Sequence, residues 1–213
     1  MKTFDLSLYL VLDPGLCAGI GMVETARRAV AGGVTMVQLR DKQADTAAMI
    51  ATGRALQAAL AGSGARLIIN DDVAAAVALG ADGLHIGQGD MAVAEARARI
   101  GAGAILGLSV ETPALAAAAD PALVDYIGAG PVFATPTKTD HKQPVGFDGL
   151  AAQVAASRVP AVAIGGLKAA HVALAVAAGA QGLAVVSAIC GQPDPEAAAR
   201  TLAQAIAQAR RSG

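Results

Sequence analysis

Aromatic residues and charged residues are both scarce in this sequence of 213 residues. Aromatic side chains make up 2% of it, and tryptophan is absent. Because proteins hold single-stranded nucleic acid largely by stacking bases on aromatic rings, such a partner is not expected. The formal net charge of −1 also argues against a protein that coats nucleic acid or an anionic membrane surface.

Cysteine and long apolar runs are scarce as well. Cys17 and Cys190 lie far apart in the sequence, so they form neither a CxxC motif nor a disulfide framework. No apolar run approaches the roughly 20 residues that a transmembrane helix needs. The stretch 6–12 is cut short by Asp13 and Pro14, and we interpret it as a first β-strand and not as a signal peptide. These features predict a reduced, cytoplasmic protein with no membrane partner.

Apolar residues make up 54% of the sequence, and they alternate between strand-like and helix-like segments. Short apolar runs are each followed by an alanine-rich helical segment, at intervals of about 25 residues. The predicted strands are residues 8–12, 34–39, 66–70, 83–86, 104–108, 124–127, 160–164 and 183–186. Eight such units predict a (β/α)₈ TIM barrel that forms a single domain over residues 1–213. A doubly wound open sheet is the alternative, although it would not need so regular a repeat.

Polar residues follow the predicted strands, where a barrel of this kind has its functional face. The second strand runs into Gln38, Arg40 and Lys42, whose side chains should project to one side because side chains alternate along a strand. An amide, a guanidinium and an ammonium together suit a diphosphate group. A solvated surface strand is the alternative interpretation.

Two acidic residues follow the third and fourth strands. These are Asp71 and Asp90, and neighbouring strands lie only about 4.8 Å apart. Two carboxylates at adjacent strand ends can share Mg²⁺, which takes one or two protein carboxylates together with phosphate oxygens and water. Either aspartate alone could instead be a helix N-cap.

The last three strand ends carry features that suit a second anion. Hydroxyl groups and an ammonium follow the sixth strand on a backbone stiffened by proline, in the segment Thr135, Pro136, Thr137 and Lys138. An ordinary polar surface loop explains that segment alone equally well. Gly165 and Gly166 follow the seventh strand and Ser187 follows the eighth, which is where this fold often holds a phosphate.

The three histidines do not form a catalytic pattern. His85 lies inside the fourth strand and is expected to be a hydrogen-bonded barrel residue and not a base, while His171 is expected on a solvated helix face. His141 lies on the long loop and could contact a ligand. We find no Ser–His–Asp or Cys–His arrangement and no zinc-ligand spacing in the sequence.

Seven blocks spread over nearly the whole chain resemble one family. They are VQLRDK at 37–42, IIND at 68–71, GADGLHIGQGDM at 80–91, LGLS at 106–109, DYIGAGPVFATPTKT at 125–139, AIGG at 163–166 and GLAVVSAI at 182–189. Together they resemble the thiamine phosphate synthases. That family is a (β/α)₈ barrel that joins an aminopyrimidine methyl diphosphate to a thiazole phosphate, giving thiamine phosphate and pyrophosphate.

The resemblance implies a role for each matching residue. The pyrimidine diphosphate would be held by Gln38, Leu39, Arg40, Asp41, Lys42, Asn70, Ser109 and Lys138, of which Arg40, Lys42, Ser109 and Lys138 would act in catalysis. Asp71 and Asp90 would bind the cofactor Mg²⁺. The thiazole phosphate would be held by Thr135, Pro136, Thr137, Gly166, Val186 and Ser187. The resemblance further implies a dissociative substitution, in which the enzyme neutralises the departing pyrophosphate and needs little acid–base catalysis.

The sequence departs from the family pattern in a few places, and two rival functions remain. Asp72 stands where the family usually has arginine, which would replace a cation near the diphosphate by a negative charge. Ala92 replaces a proline, and 110–112 replaces the usual small residue, His and Thr. The rivals are a thiazole tautomerase-like isomerase and a non-catalytic barrel that binds thiazole or thiamine phosphate. The sequence does not fix the oligomeric state, and a homodimer is the assembly that we consider.

Overall fold

Eight parallel strands pair in chain order, and the eighth pairs with the first, so the sheet closes on itself. The computed structural model describes residues 2–135 and 143–212. Its strands are β1 (Leu8–Val11), β2 (Met36–Leu39), β3 (Arg66–Asn70), β4 (Gly83–Ile86), β5 (Ile105–Val110), β6 (Tyr126–Ala129), β7 (Ala161–Ile164) and β8 (Leu183–Val185). The predicted TIM barrel is therefore confirmed, and the open-sheet alternative is wrong.

A helix follows each strand and covers the outside of the barrel. The helices are α1 (Met22–Ala31), α2 (Thr46–Leu60), α3 (Val73–Leu79), α4 (Val93–Ile100), α5 (Pro113–Ala118), α6 (Gly146–Ala156), α7 (Val172–Ala177) and α8 (Pro195–Ser212), with a 3₁₀ turn at Ala169–His171 before α7. Asp45 caps α2, because its carboxylate accepts a hydrogen bond of 2.8 Å from the backbone N–H of Ala48.

Side-chain alternation along the strands creates two apolar layers. Val37 and Leu39 of β2 point outward into the large layer between barrel and helices, together with Leu67 and Ile69 of β3. The smaller inner cluster fills the barrel itself, and it is made of Leu6, Tyr9, Met36, Ile68, Ile105, Tyr126, Val162 and Ala184. These residues fill the barrel toward the amino ends of the strands, so that the end at the carboxyl ends of the strands remains open to a ligand.

Two strands extend further toward their carboxyl ends than the sequence predicted, and each contains a glycine that faces the barrel interior. The sixth strand was expected over 124–127, but it covers Tyr126–Ala129 and includes Gly128. The fifth was expected over 104–108 but covers Ile105–Val110 and includes Gly107. A Cβ at Gly128 would lie 3.4 Å from Cε1 of His85, and one at Gly107 would overlap both His85 and Tyr126. The glycines therefore make room for large side chains of the neighbouring strands, and they do not end the strands.

The two cysteines meet in the core beside the junction of β1 and β8. Both are free and buried, and they lie close enough that each thiol shifts the pKa of the other. The Sγ atom of Cys190 also donates to the carbonyl oxygen of Val11, at 3.6 Å. Their separation in the sequence concealed this contact, which joins the loops that follow the first and last strands.

Over residues 2–135 and 143–212, no helix combines the length and the apolar character that crossing a membrane requires.

Substitution of Gly107 by alanine should strongly destabilise the barrel. The added methyl group would overlap the ring of Tyr126 and Nδ1 of His85, and overpacking of this kind costs about 1–3 kcal/mol. Urea denaturation of Gly107→Ala measures that loss. Gly103→Ala is the matched control, since a Cβ there meets no atom within 4 Å. Equal stability of the two variants would show that the interior near residue 107 is not tightly packed.

Candidate active site

A cavity of about 450 Å³ opens at the carboxyl ends of the strands. Most of the residues that the sequence analysis selected line it, although they come from seven different strand ends. These are Gln38, Arg40, Lys42, Asn70, Asp71, Asp90, Ser109, Thr135, Gly166, Val186 and Ser187. The cavity size is in the range of small-molecule sites. The barrel therefore brings the predicted cations, acids, hydroxyls and glycines to one place.

Two of the selected side chains do not reach the cavity. Leu39 is fully buried in the layer between barrel and helices. The carboxylate of Asp41 accepts hydrogen bonds from the backbone N–H groups of Gln43 and Ala44, at 3.0 and 3.3 Å, and stabilises the turn after β2. Strand alternation turns both side chains away from those of Gln38 and Arg40, and neither residue lines the cavity.

Part of the predicted site falls outside the residues that the structure describes. Pro136, Thr137 and Lys138 lie there, and so does His141. Their roles stay predictions.

Two carboxylates and an ammonium meet at the ends of β3 and β4. Asp90 lies near enough to Asp71 to influence its ionisation, and Lys42 forms an ion pair with Asp71. Asp90 also accepts a hydrogen bond of 2.7 Å from the backbone N–H of Gly87. Burial raises the pKa of Asp71, and the neighbouring Asp90 raises it further, although Lys42 acts in the opposite direction.

The backbone of Asp71 is held in an unusual conformation. Its φ angle is +60°, in the left-handed region that residues other than glycine rarely adopt. The backbone N–H of Asp71 donates to the carbonyl oxygen of His85 at 2.9 Å, which ties the turn after β3 to β4. Strain of this kind clusters at functional sites, where the surrounding structure enforces a particular side-chain direction. Here the turn aims the carboxylate at Asp90.

The N-cap alternative for the two acids is wrong. The N-cap of α3 is Asp72, whose carboxylate accepts a hydrogen bond of 2.8 Å from the backbone N–H of Ala75. The N-cap of α4 is Ala92. Asp72 does not line the cavity, so the expected repulsion of a diphosphate by its side chain has no support in the geometry. Another departure from the family pattern, Glu111, does line the cavity.

A chain of hydrogen bonds crosses the barrel at the floor of the cavity. The amide nitrogen of Gln38 donates to the hydroxyl of Tyr9 at 2.7 Å, and the hydroxyls of Tyr9 and Tyr126 are 2.9 Å apart. Nδ1 of His85 lies 2.9 Å from the Tyr126 hydroxyl, and Nε2 lies 2.9 Å from Oγ of Ser109. The prediction that His85 is a hydrogen-bonded barrel residue is confirmed.

The sequence analysis missed Tyr9 and Tyr126. They are the only two tyrosines of the chain, and each lies in a predicted apolar strand, where a tyrosine reads as ordinary core. Burial raises the pKa of both phenols well above the usual range, so both stay protonated. One signal was available, since a buried tyrosine hydroxyl needs a hydrogen-bond partner.

The loops after β6 and β7 are joined backbone to backbone. The N–H of Val132 donates to the carbonyl oxygen of Ile164 at 2.9 Å, and that of Phe133 donates to Gly165 at 3.0 Å. Gly165 and Gly166 have φ angles of +106° and +63°, a conformation that side-chain-bearing residues rarely adopt. This pairing places Thr135 and Gly166 on the same wall of the cavity.

An aromatic cluster supports that wall from behind. Phe133 packs against Phe147 and His171, with ring centroids 5.4 and 4.8 Å away. His171 is half-buried, and its Nδ1 accepts a hydrogen bond of 3.2 Å from the backbone N–H of Lys168. The expectation that His171 is solvated is therefore wrong, because the 3₁₀ turn before α7 folds the ring onto Phe133.

The turn after β8 completes the same wall. The backbone N–H groups of Ile189 and Cys190 both donate to the carbonyl oxygen of Val186, at 3.0 and 2.8 Å. The side-chain amide of Gln192 donates to the carbonyl oxygen of Ser187 at 2.8 Å. These bonds hold Val186 and Ser187 at the rim of the cavity in a fixed turn.

Comparison with known proteins agrees with this geometry. A family model described as "Thiamine monophosphate synthase" matches residues 8–189. The chain is 54% identical to "Thiamine-phosphate synthase" of Xanthobacter autotrophicus, over 98% of this chain and 99% of that protein. It is 49% identical to "Thiamine-phosphate synthase" of Azorhizobium caulinodans, over 98% of each. Among solved structures, "Thiamine phosphate pyrophosphorylase" from Pyrococcus furiosus matches with a TM-score of 0.87 and 33% identity, over 96% of each chain.

These matches decide between the rival functions that the sequence analysis left open. Over 98% of this chain, the relatives that it matches are named as synthases. This protein is therefore an enzyme of the transferase class, and the matches favour neither the isomerase nor the binding-protein alternative. The chain belongs to the thiamine monophosphate synthase family.

Proposed function

We propose that the cavity binds an aminopyrimidine methyl diphosphate and a thiazole phosphate side by side and joins them, releasing pyrophosphate. The observation that carries this proposal is the presence of two different anion-binding walls in one cavity. Cationic and acidic groups follow β2, β3 and β4, while glycines and hydroxyls follow β6, β7 and β8. In a closed barrel of eight strands these two arcs face each other, so two phosphorylated ligands can present their organic parts to one another.

On the first wall, Gln38, Asn70 and Ser109 would orient the pyrimidine diphosphate, and Arg40 and Lys42 would neutralise it. The chemistry breaks the bond between the methylene carbon and the diphosphate oxygen, and the thiazole nitrogen then forms the new bond to that carbon. Neither step needs a proton transfer from the protein. Accordingly, the chain's own residues would act by fixing the approach of the two substrates and by stabilising the negative charge of the leaving group.

We propose Asp71 and Asp90 as the ligands of Mg²⁺. Three observations support the fit: both carboxylates line the cavity, the Lys42 ammonium already pairs with Asp71, and burial together with Asp90 raises the pKa of Asp71. Among the described residues, no group of three or more histidine, cysteine or acidic side chains could hold a metal. The ion would therefore complete its shell with diphosphate and water oxygens, as Mg²⁺ commonly does, and would supply Lewis-acid neutralisation of the diphosphate.

On the second wall, Thr135, Gly166, Val186 and Ser187 would hold the thiazole phosphate through hydroxyl and backbone N–H groups. The segment at 136–138 would complete this wall, with Lys138 reaching toward the diphosphate. We also infer that residues 1–213 form one domain, because the single barrel draws its strands and helices from residue 8 to residue 212.

The activity itself is tested by mixing both substrates with Mg²⁺ and the full-length protein and measuring pyrophosphate. The proposal predicts that pyrophosphate and thiamine phosphate appear in equal amounts and that neither substrate alone gives pyrophosphate at a comparable rate. Conversion of thiazole phosphate without the pyrimidine would instead indicate an isomerase. Binding of either ligand without product would indicate a binding protein.

Substitution of Arg40 by alanine should lower kcat/KM for the pyrimidine diphosphate by about two orders of magnitude or more, as expected for loss of a charged group that stabilises a leaving anion. Steady-state kinetics with saturating thiazole phosphate measures the effect. Arg54→Ala is the matched control, since Arg54 is exposed on α2, away from the cavity. Near-normal turnover of Arg40→Ala would show that Arg40 does not stabilise the diphosphate.

Substitution of Asp71 by asparagine should shift the Mg²⁺ activation curve to higher concentration, because it removes one of two anionic ligands. Asp72→Asn is the matched control: it lies next in sequence, caps α3, and asparagine caps equally well. A Mg²⁺ titration of both variants checks this, and an unchanged curve for Asp71→Asn would place the ion elsewhere.

The raised pKa of Asp71 gives that site a characteristic pH dependence. Mg²⁺ binds the ionised carboxylate, so Mg²⁺ affinity should fall as the pH drops through the raised pKa, at higher pH than for an ordinary aspartate near 3.9. Without Mg²⁺, ionised Asp71 disfavours folding, so Asp71→Asn should gain stability relative to the wild type as the pH rises above that ordinary value. Thermal unfolding across pH measures the difference, which should vanish under acidic conditions.

A further inference from the structure

The hydrogen-bond chain at the floor of the cavity joins two residues that are expected to touch the pyrimidine diphosphate. It runs from Gln38 through Tyr9, Tyr126 and His85 to Ser109, with donor–acceptor distances between 2.7 and 2.9 Å. Gln38, Tyr9, His85 and Ser109 line the cavity, whereas Tyr126 in the middle of the chain is fully buried and does not. The chain thus links two distant points of the cavity wall through the barrel interior.

The Gln38 side chain presents its amide nitrogen to the Tyr9 hydroxyl, and this orientation sets the direction of the bonds that follow. The Gln38 amide nitrogen can only donate, so the Tyr9 oxygen accepts, and the single Tyr9 proton is directed to Tyr126. The Tyr126 proton is then directed to Nδ1 of His85, which must accept it. A neutral imidazole that accepts at Nδ1 carries its proton on Nε2, and that proton is donated to Oγ of Ser109.

Burial keeps both phenols of this pattern protonated. Both tyrosines are fully buried, and burial raises both pKa values far above neutral pH, so each hydroxyl carries its one proton throughout. Close packing also holds the two rings in place. Gly107 of β5 lies between His85 of β4 and Tyr126 of β6 in the strand register, and both side chains occupy the space beside it. The glycine leaves a gap that the two side chains fill.

We propose that Tyr9, Tyr126 and His85 are positioning residues that set Ser109 as a hydrogen-bond donor to the pyrimidine diphosphate. Ser109 accepts from His85, so its own proton is available to a ligand oxygen in the cavity. Diphosphate oxygens at neutral pH are acceptors, and they require such a donor. The inference rests on the proposed function for the identity of the ligand, but the direction of the chain is a property of the free protein.

The direction is tested without substrate. The protein has three histidines in all, so ¹⁵N NMR of histidine-labelled protein gives few signals. The signal that is lost in His85→Gln belongs to His85. The expected result is a neutral imidazole with the proton on Nε2. A proton on Nδ1 would mean that every bond runs the other way and that Ser109 donates to His85, which overturns the proposal whether or not the protein is an active synthase.

The link to Ser109 is tested by a double-mutant cycle. Tyr126→Phe removes one hydroxyl and keeps the ring, and it should lower kcat/KM for the pyrimidine diphosphate about tenfold while the KM for thiazole phosphate changes less than twofold. Ser109→Ala should cause a similar loss. In Tyr126→Phe/Ser109→Ala the losses should not add, because residues in one hydrogen-bond network are coupled. Additive losses would show that these hydrogen bonds stabilise the fold and do not act through Ser109.

Two further variants secure this cycle. Thr25→Val removes a buried hydroxyl that bonds the carbonyl oxygen of Gly21 outside the cavity, so it should lower stability but leave kcat/KM unchanged. If Tyr126→Phe does not fold, Tyr9→Phe breaks the same chain one residue earlier and enters the cycle in its place. A wild-type protein that releases no pyrophosphate contradicts the proposed function, whereas the NMR result stands independently of it.

Discussion

Closure of the barrel at a fixed strand register determines which side chains can meet at the cavity. Each strand turns every second residue inward, and the register then sets which inward residues are neighbours, as with Asn70 beside His85 and Ser109 beside Gly128. A slip of one residue in β2 would turn Gln38 outward and Leu39 inward. The cavity therefore depends on the packing of the two apolar layers, although few of their residues touch it.

The same constraint explains why unfavourable features are tolerated at one point of the rim. Asp71 has a left-handed backbone conformation. Burial opposes the ionisation of its carboxylate, and the nearby carboxylate of Asp90 opposes it further. The backbone hydrogen bond from Asp71 to His85 holds this turn against β4. A bound cation would relieve the repulsion between the two carboxylates. The free protein therefore carries an unfavourable electrostatic interaction that binding of the ligands would remove.

Much of this organisation could be read from the sequence, and the failures have common causes. The barrel followed from eight apolar runs at a regular interval, and the rim residues followed from their place after each run. The sequence could not separate Asp71 from Asp72, because both follow β3 and only the backbone turn decides which one caps α3. It also placed Gly128 after the end of the sixth strand, since the ring of His85 beside that glycine comes from another strand. Contacts between residues distant in sequence, such as Cys17 with Cys190, were invisible for the same reason.

The central claim is that one cavity holds two phosphorylated groups on opposite walls, and a crystal structure of the protein with thiamine phosphate and pyrophosphate tests it most directly. The account predicts the pyrophosphate beside Arg40, Asp71 and Asp90, and the phosphate of thiamine phosphate at Gly166 and Ser187. Density for both anions on the same wall, or for either outside the cavity, would contradict it.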